Sequence, residues 1–266
     1  MTKRNSDLDK KTEYFRYEQR ARKLLNTQIN EKLGATGVPL SLREPYSFYE
    51  LQIRRHLKPN YRALEIGAGT GMHTQILLEL VDTGEVMVSD ISESCLEVLI
   101  NRYRHNSRLS AKVADMECMP FPQSSFDIVT SAGCLSYGDN KKVMMEIYRV
   151  LKPGGIFVCV DSLNHNPLYR LNRWLKYVCG KRSLSTLRRM PRIETIECYR
   201  QYFGSVDVRF FGGVSWITPL LNFFIGEVRS ASFSRTCDEL FHIKRSAYKF
   251  VMTAYKVKDS SQKGTH

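Results

Sequence analysis

Three glycines lie within five positions directly after a short apolar run, as Gly67, Gly69 and Gly71 in the stretch RALEIGAGTGM. Because glycine has no Cβ atom, a ligand can approach its main chain closely. Where a strand turns into a helix, the first backbone amides of the helix have no helical partners and can bind a polar ligand. The stretch therefore predicts a small-molecule site at a strand-to-helix turn.

The spacing of these glycines differs from the dinucleotide-binding pattern G-x-G-x-x-G, in which the last glycine would fall on Met72. Here the spacing is G-x-G-x-G, and an acidic residue, Glu65, precedes it. A second acidic residue, Asp90, ends the next apolar segment. A carboxylate suits a ligand that presents hydroxyl groups and would repel the additional phosphate of a dinucleotide.

Apolar segments that alternate with helical patterns indicate which elements position these residues. Strands are predicted in YRALEIGAG, GEVMVSD, FDIVTSAG and IFVCVDS, and helices in MHTQILLELV, ISESCLEVLINRYRHN and KKVMMEIYRVLKPGG. Ser92 is expected to cap the second of these helices, and Pro153 to end the third. The alternation implies a parallel sheet covered on both faces, with ligands at the carboxyl ends of its strands.

Composition narrows the class of protein. A chain of 266 residues that is 42% hydrophobic can form one domain, and we expect a cytoplasmic protein because the N-terminus is charged and no apolar run would span a bilayer. The seven cysteines form no C-x-x-C pair, so no metal site is predicted. A net charge of +13 favours anionic partners such as RNA, lipid headgroups or phosphorylated small molecules.

Four segments resemble, in order, the motifs of class I S-adenosylmethionine (SAM)-dependent methyltransferases, most closely the UbiE-like (methyltransferase type 11) branch that acts on small molecules. They are EIGAGTG, the strand ending at Asp90, VADMECMPFPQSSFDIVTSA and LKPGGIFVCV. The resemblance implies an α/β fold with a Rossmann-like seven-stranded sheet and helices on both faces. It also implies an N-terminal helical lid and insertions after the fifth and sixth strands.

The resemblance implies SAM as the cofactor. Asp90 would bind the ribose hydroxyls, Asp115 the adenine amino group, and the backbone amide of Met116 the adenine ring. The predicted cofactor-binding residues are Glu65, Gly67, Ala68, Gly69, Gly71, Asp90, Ile91, Asp115, Met116, Ser131 and Tyr46.

Alternatives remain for several of these residues. Glu65 would be structural support if it only bonded neighbouring backbone, and Asp90 would be a cap for the next helix. Tyr46 and Tyr49 would either close the site or pack on the sheet edge. His73 is interpreted as a helix-face residue.

A proton acceptor for an oxygen nucleophile is expected near the ends of the fourth and fifth strands. The predicted catalytic residues are His165, Tyr137 and Asp161. An amine acceptor that is already deprotonated would need none of them.

The predicted organisation has four parts. They are a helical lid in 1–55 with a helix from Leu8 to Leu33, a SAM-binding core in 56–162, acceptor-binding insertions with a final antiparallel hairpin in 163–257, and a disordered tail in 258–266.

Two segments after the fifth predicted strand suggest an acceptor. Residues 164–192 contain eight basic residues and no acidic one, which indicates either a solvated face or a site for a phosphate-rich ligand. Tyr169, Trp174 and Tyr177 lie among these charges and would suit either stacking or core packing. The apolar segment from Trp216 to Val228 would form core, a dimer contact, the wall of a lipid pocket or a monotopic membrane element.

The sequence thus predicts methyl transfer to an oxygen or nitrogen atom of an anionic small molecule, such as a phosphorylated, nucleotide-linked or lipid-linked sugar. One alternative is an RNA methyltransferase that uses residues 164–192, although SAGCLSY stands where an N-P-P-Y-type tetrapeptide would follow the fourth strand. Another is a non-catalytic SAM-binding protein. Peripheral membrane contact and a homodimer are further expectations.

Overall fold

A computed structural model describes residues 43–180, 183–241 and 244–258, together with residues 11, 14, 15, 18, 19, 21 and 22. Its strands are β1 (Arg62–Ile66), β2 (Glu85–Asp90), β3 (Leu109–Val113), β4 (Phe126–Ala132), β5 (Leu151–Ser162), β6 (Ser205–Phe211) and β7 (Lys249–Tyr255). They form a seven-stranded sheet in the order β3-β2-β1-β4-β5-β7-β6. This sheet confirms the predicted α/β architecture.

Strand direction sets which ends of the sheet carry ligand-binding loops. Strands β1 to β5 pair in parallel, whereas β7 runs antiparallel between β5 and β6. The predicted final antiparallel pair is therefore confirmed. Because the order reverses on either side of β1, the carboxyl ends of β1, β2 and β4 flank one crevice, which is where open α/β sheets bind ligands.

Helices cover both faces of the sheet. They are α1 (Glu44–His56), α2 (Thr74–Leu80), α3 (Glu93–Arg102), α4 (Asn140–Val150), α5 (Pro167–Val178), α6 (Leu184–Arg189), α7 (Ile193–Tyr202), α8 (Thr218–Ile225) and α9 (Glu227–Phe241). Helices α1, α2 and α3 pack with Ala63, Val86 and Val158 in one apolar cluster. Helices α4 and α7 pack with Leu64, Val129 and Phe157 in the other.

Two local features differ from the sequence-based predictions. Helix α4, the third of the helices predicted above, ends at Val150, before Pro153. Pro153 and the two glycines after it lie inside β5, near the point where its register with β4 shifts. The residue before a proline disfavours helical geometry, which is consistent with the early end. Strand β3 was not identified because it is a short edge strand, LSAKV, with mostly exposed side chains and no apolar run.

The flanks extend this core. All described residues among 11–22 are helical, while the rest of the predicted helix from Leu8 to Leu33 lies outside the described residues, as do 259–266. Helices α5, α6 and α7 connect β5 to β6, and α8 and α9 connect β6 to β7, as the predicted insertions require. Within the described parts of the chain, no helix combines the length and apolarity needed to cross a bilayer.

Candidate functional site

A cavity of about 360 Å³ lies at the carboxyl ends of β1, β2 and β4. This volume falls in the range of small-molecule sites. Among its lining residues are Tyr14, Ala21, Glu65, Gly67, Ala68, Gly69, His73, Asp90, Ile91, Asp115, Met116, Gly133, Cys134, Tyr137, Ser185, Thr186 and Arg189. Most of the predicted cofactor-binding residues are thus brought together.

The glycines after β1 have left-handed backbone geometry, with φ of 61° at Gly67, 54° at Gly69 and 82° at Gly71. A Cβ on Gly67 would lie 2.5 Å from Cys134 Cβ, and one on Gly71 would lie 2.8 Å from Leu99 Cγ. A Cβ on Gly69 would meet no atom within 4 Å. Gly67 and Gly71 are therefore needed for packing, whereas Gly69 presents bare main chain to open space.

Asp90 holds the glycine turn from the end of β2. Its carboxylate accepts hydrogen bonds from the backbone amides of Gly69 and Ser92, each at 2.9 Å. Burial raises the pKa of Asp90, and these backbone donors oppose the rise. The helix cap itself is Ser92, as predicted, because its hydroxyl accepts from the amide of Cys95. Asp90 thus both lines the cavity and fixes two of its wall segments.

Glu65 lies at the base of the cavity and is only 2% exposed. Its carboxylate accepts a hydrogen bond from Thr74 Oγ1 at 2.6 Å, so the partner found is a side-chain hydroxyl instead of the neighbouring backbone. Burial raises the pKa of Glu65 to about 7, against the lowering effect of Thr74 and with a further rise from Asp90. This carboxyl therefore titrates near neutral pH.

Asp115 and Met116 form the wall that follows β3. Asp115 Oδ1 accepts a hydrogen bond from the amide of Glu117 at 2.9 Å, which keeps this loop turned toward the cavity. Met116 Sδ lies 3.9 Å from Cys134 Sγ across the cavity floor. Ile91, which is 41% exposed, completes the rim on the β2 side.

Three predicted cofactor-binding residues, Gly71, Ser131 and Tyr46, are absent from the cavity lining. Ser131 is fully buried, and its Oγ lies 3.0 Å from Cys134 Sγ. The Tyr46 ring stacks on His73 with centroids 5.3 Å apart, and His73 is the residue that reaches the cavity. Burial lowers the pKa of His73 to about 4, so its ring is neutral at physiological pH. Tyr49 packs in the core, 1% exposed.

The predicted catalytic residues are not brought together. Tyr137, in the 3₁₀ helix Leu135–Tyr137, lines the cavity. Asp161 is buried beneath that turn and accepts a hydrogen bond from the amide of Leu135 at 2.9 Å. Burial raises the pKa of Asp161, and Lys249 opposes this. His165 lies between β5 and α5, outside the cavity lining. The reason is topological, since β5 is separated from β1 by β4.

Sequence reasoning missed Glu18. Its carboxylate is 6% exposed and accepts hydrogen bonds from Ser92 Oγ at 2.7 Å, the Ser94 amide at 3.2 Å and the Ser94 hydroxyl. Burial raises the pKa of Glu18, but the Ser94 and Ser92 hydrogen bonds outweigh it, so the net shift is downward. These bonds bring Tyr14 and Ala21 onto the cavity wall. No local motif predicts a contact between residues 74 positions apart, such as Glu18 and Ser92.

Helix α6 was also not singled out within the basic segment. Ser185, Thr186 and Arg189 of this helix line the cavity. Arg189 Nη1 donates a hydrogen bond to the carbonyl of Tyr137 at 3.3 Å. Arg173 instead is buried, 5% exposed. In the described part of the chain, no cluster of three or more histidine, cysteine or acidic residues is arranged to hold a metal ion.

Known proteins resemble this chain over its central part. Residues 63–155 match the family model described as a methyltransferase domain. A sterol 4-C-methyltransferase of Caenorhabditis elegans is 33% identical over 142 residues, which cover 49% of this chain and 42% of that protein. The ubiquinone/menaquinone biosynthesis C-methyltransferase UbiE of Vibrio campbellii is 37% identical over 109 residues, 39% of this chain and 42% of that protein. The chain therefore spans less than half the length of both relatives.

A demethylmenaquinone methyltransferase of Symbiobacterium thermophilum is 30% identical over 170 residues, 62% of this chain and 66% of that protein. Among solved structures, the [4+2]-cyclase SpnF has a TM-score of 0.57 at 19% identity and covers 80% of each chain. A Haemonchus contortus phosphoethanolamine N-methyltransferase 2 has a TM-score of 0.56 at 22% identity, covering 80% of this chain and 53% of that one. These similarities confirm the predicted fold.

Proposed function

We propose that this chain, whose residues 63–155 match the methyltransferase domain model, transfers a methyl group from SAM to an anionic small molecule. The observation that carries the proposal is the joint position of Gly69 and Asp90 on one cavity wall. The fold alone does not establish methyl transfer, because SpnF has a similar fold and is named a cyclase.

The cavity residues fit SAM by their chemistry. Asp90 keeps acceptor capacity for ribose hydroxyls beyond its backbone donors, because a carboxylate offers about four lone-pair sites. Main chain at Gly69 faces open space, so it can approach the amino-acid end of the cofactor. Asp115 and Met116, for which the family resemblance implies contacts with adenine, line the same cavity. Bound there, SAM supplies a methyl group already activated by its sulfonium.

The acceptor is proposed to lie between the cofactor and α6. Arg189 supplies a cation on this wall, and Ser185 and Thr186 supply hydroxyl groups. Tyr137, held beside Arg189 by the 3.3 Å hydrogen bond to its carbonyl, faces the same space. These residues would orient an anionic acceptor, and orientation is the main requirement for transfer of an activated methyl group. A phosphate-bearing molecule, phosphomonomethylethanolamine, is named in the Haemonchus contortus structure of this fold.

The acceptor atom is predicted to be oxygen or nitrogen, whereas the Caenorhabditis elegans and Vibrio campbellii relatives are named C-methyltransferases. A product made with ¹³C-methyl SAM distinguishes these cases by the chemical shift of the new methyl group. Incubation of the full chain with labelled SAM and a panel of phosphorylated sugars, prenyl phosphates, quinones and RNA identifies the acceptor class. Label in the RNA fraction alone would contradict the proposal.

Calorimetric titration with SAM and S-adenosylhomocysteine tests the cofactor assignment directly. Wild-type chain is expected to bind both, and Asp90→Asn to bind at least about tenfold more weakly, because a charged hydrogen bond contributes about 1.5–3 kcal/mol. Asp82→Asn is the matched control, since this substitution removes the same charge at an exposed position outside the cavity. Binding without transfer to any acceptor would instead support the non-catalytic alternative.

Arg189 has a matched control in its neighbour, Arg188, which is exposed and absent from the cavity lining. Arg189→Gln is expected to raise the KM for an anionic acceptor by about tenfold or more, since it removes a charged contact. Arg188→Gln lowers the net charge equally and is expected to leave that KM unchanged. Equal effects of the two variants would indicate long-range charge and contradict direct contact.

A further inference from the structure

Helix α5 carries its apolar side chains on the outside. Leu168, Leu171, Leu175 and Val178 recur at helical spacing, and each is between 48% and 60% exposed. Trp174 extends the same face and is 52% exposed. A surface helix of a globular domain normally turns such a stripe toward the core. This orientation is therefore the reverse of the usual one.

The opposite face of α5 attaches the helix to the domain through polar and aromatic groups. Arg173 is buried, donates to the carbonyl of Leu163 at 2.9 Å, and lies over the Tyr248 ring at 5.5 Å. Tyr169 lies on the same side, with its ring centroid 4.7 Å from that of Tyr248. Because these contacts fix the rotation of the helix, its leucine stripe is held outward.

A second exposed apolar face belongs to α8 and the first turn of α9. Phe223 is 84% exposed, Phe224 70% and Val228 71%. The first turn of α5 contacts the residues just before α8, since the hydroxyl groups of Tyr169 and Ser215 share a hydrogen bond. We name the following residues the exposed apolar surface: Leu168, Leu171, Trp174, Leu175, Val178, Leu220, Phe223, Phe224 and Val228.

Topology places both helices at the end of the sheet that carries the cavity. Lys249 pairs with Ser162 at the end of β5 and with Phe211 at the end of β6. Helix α5 follows the first of these ends and α8 follows the second. The carboxyl ends of the parallel strands β1, β2 and β4 lie at the same end as that of β5.

Charge indicates which occupant suits this surface. Arg170 and Lys176 are exposed on α5 beside the apolar stripe, and residues 164–192 contain no acidic residue. Helix α8 has no charged residue at all. Large apolar side chains bordered by arginine and lysine are typical of helices that lie in the interface of an anionic membrane. A second copy of this chain, also carrying +13, would bring like charges together.

We propose that α5 and α8 insert the exposed apolar surface into the headgroup layer of an anionic lipid bilayer, with Arg170 and Lys176 contacting lipid phosphates. With 12 and 8 residues, these helices lie along the bilayer surface. The inference does not depend on methyl transfer, because it rests on the surface alone. Under the function proposed above, this orientation gives the cavity access to acceptors carried by lipids.

Co-sedimentation of the full chain with vesicles tests the proposal. Binding is expected to vesicles of phosphatidylglycerol mixed with phosphatidylcholine, and to be at least about tenfold weaker to phosphatidylcholine alone, since each basic residue near an anionic surface contributes about 1 kcal/mol. Arg170→Gln combined with Lys176→Gln is expected to reduce the binding and its dependence on salt. Equal binding to both vesicle types, or none to either, would overturn the proposal.

The apolar contribution has its own variant and control. Phe223→Ser combined with Phe224→Ser is expected to abolish sedimentation with anionic vesicles. Ile100→Ser combined with Met145→Ser is the control, because these exposed side chains lie on α3 and α4, away from this surface. Circular dichroism confirms that each variant is folded. If light scattering shows a dimer that the phenylalanine variant dissociates, the surface is a contact between copies and the membrane proposal is wrong.

Discussion

The hydroxyl of Ser92 donates a 2.7 Å hydrogen bond to Glu18, which joins the N-terminal helical residues to the first turn of α3. The same carboxylate accepts from the backbone amide of Ser94, an amide that the helix itself leaves without a partner. Ser92 in turn donates its amide to Asp90. One chain of hydrogen bonds therefore connects the N-terminal wall of the cavity to the carboxylate assigned to the ribose.

Replacing Glu18 with alanine is expected to weaken SAM binding by about tenfold or more, because charged hydrogen bonds contribute about 1.5–3 kcal/mol. The loss arises because Tyr14 and Ala21 reach the cavity from the helical segment that Glu18 anchors. Calorimetric titration gives the affinity. Gln19→Ala, at an exposed neighbouring position, serves as the control. An unchanged affinity in Glu18→Ala would show that this wall makes no contact with the ligand.

The buried carboxyl of Glu65 predicts a pH dependence of stability. Burial raises its pKa from 4.5 to about 7 in the folded chain, so the folded state binds a proton more strongly than the unfolded state between these values. Its contribution is complete below pH 4.5 and is lost as pH rises to about 7, by on the order of 3 kcal/mol.

Glu65→Gln is expected to remove that part of the pH dependence. Urea unfolding of the variant and the wild type across this pH range measures the difference, and the comparison cancels the contributions of Asp90 and Asp161, whose pKa values burial also raises. Parallel curves for the two proteins would contradict the assignment.

Two glycine-to-alanine variants are expected to separate packing from ligand approach. Gly67→Ala combines left-handed backbone with a 2.5 Å approach to Cys134 Cβ. It is expected to destabilise the chain by about 3 kcal/mol or more. Gly69→Ala meets no neighbouring atom and should lose only the backbone term, about 1–2 kcal/mol. Urea unfolding measures both.

Gly69→Ala should nevertheless lose most SAM affinity, because its methyl group would occupy the space into which the main chain faces. Calorimetry on the folded variant gives this value. Full affinity in Gly69→Ala would remove this residue from the proposed cofactor contacts.

Of the predicted catalytic residues Tyr137 and His165, only Tyr137 lines the cavity. Tyr137→Phe is expected to slow transfer by about tenfold or more with unchanged SAM affinity, since a positioned proton-transferring group contributes on the order of 10²–10⁴. His165→Ala is expected to retain nearly full transfer, because His165 does not line the cavity. Single-turnover rates with saturating SAM compare the two. The reverse ranking would restore His165 as the proton acceptor.

The central sheet and the cofactor wall were predictable because their signals are local. The apolar strands, the glycine spacing around Gly67 and the position of Asp90 each follow from short stretches of sequence, and the cavity brings them together. The same stretches also predicted that Ser131 lines the site, but its side chain is buried, because the burial of a strand residue depends on which loop covers it. In this case the loop carrying Cys134 does so.

Contacts across long sequence separations were not predictable. Glu18 meets Ser92 across 74 residues, and a single glutamate in a charged helix carries no mark of that partner. The exposed segment of α8 was expected in the core among other interpretations, because apolar composition alone does not show which face a neighbouring element covers. Arg189 was one of eight similar basic residues until the fold placed it on the cavity wall.

The two hydrogen bonds that Asp90 accepts have a consequence for binding energetics. They hold the Gly69 amide and the start of α3 in place without any ligand. The conformational entropy of this turn is therefore lost when the chain folds and not when a ligand arrives. A molecule that enters the cavity therefore meets a turn that is already ordered, and its binding free energy is not reduced by the cost of ordering that turn.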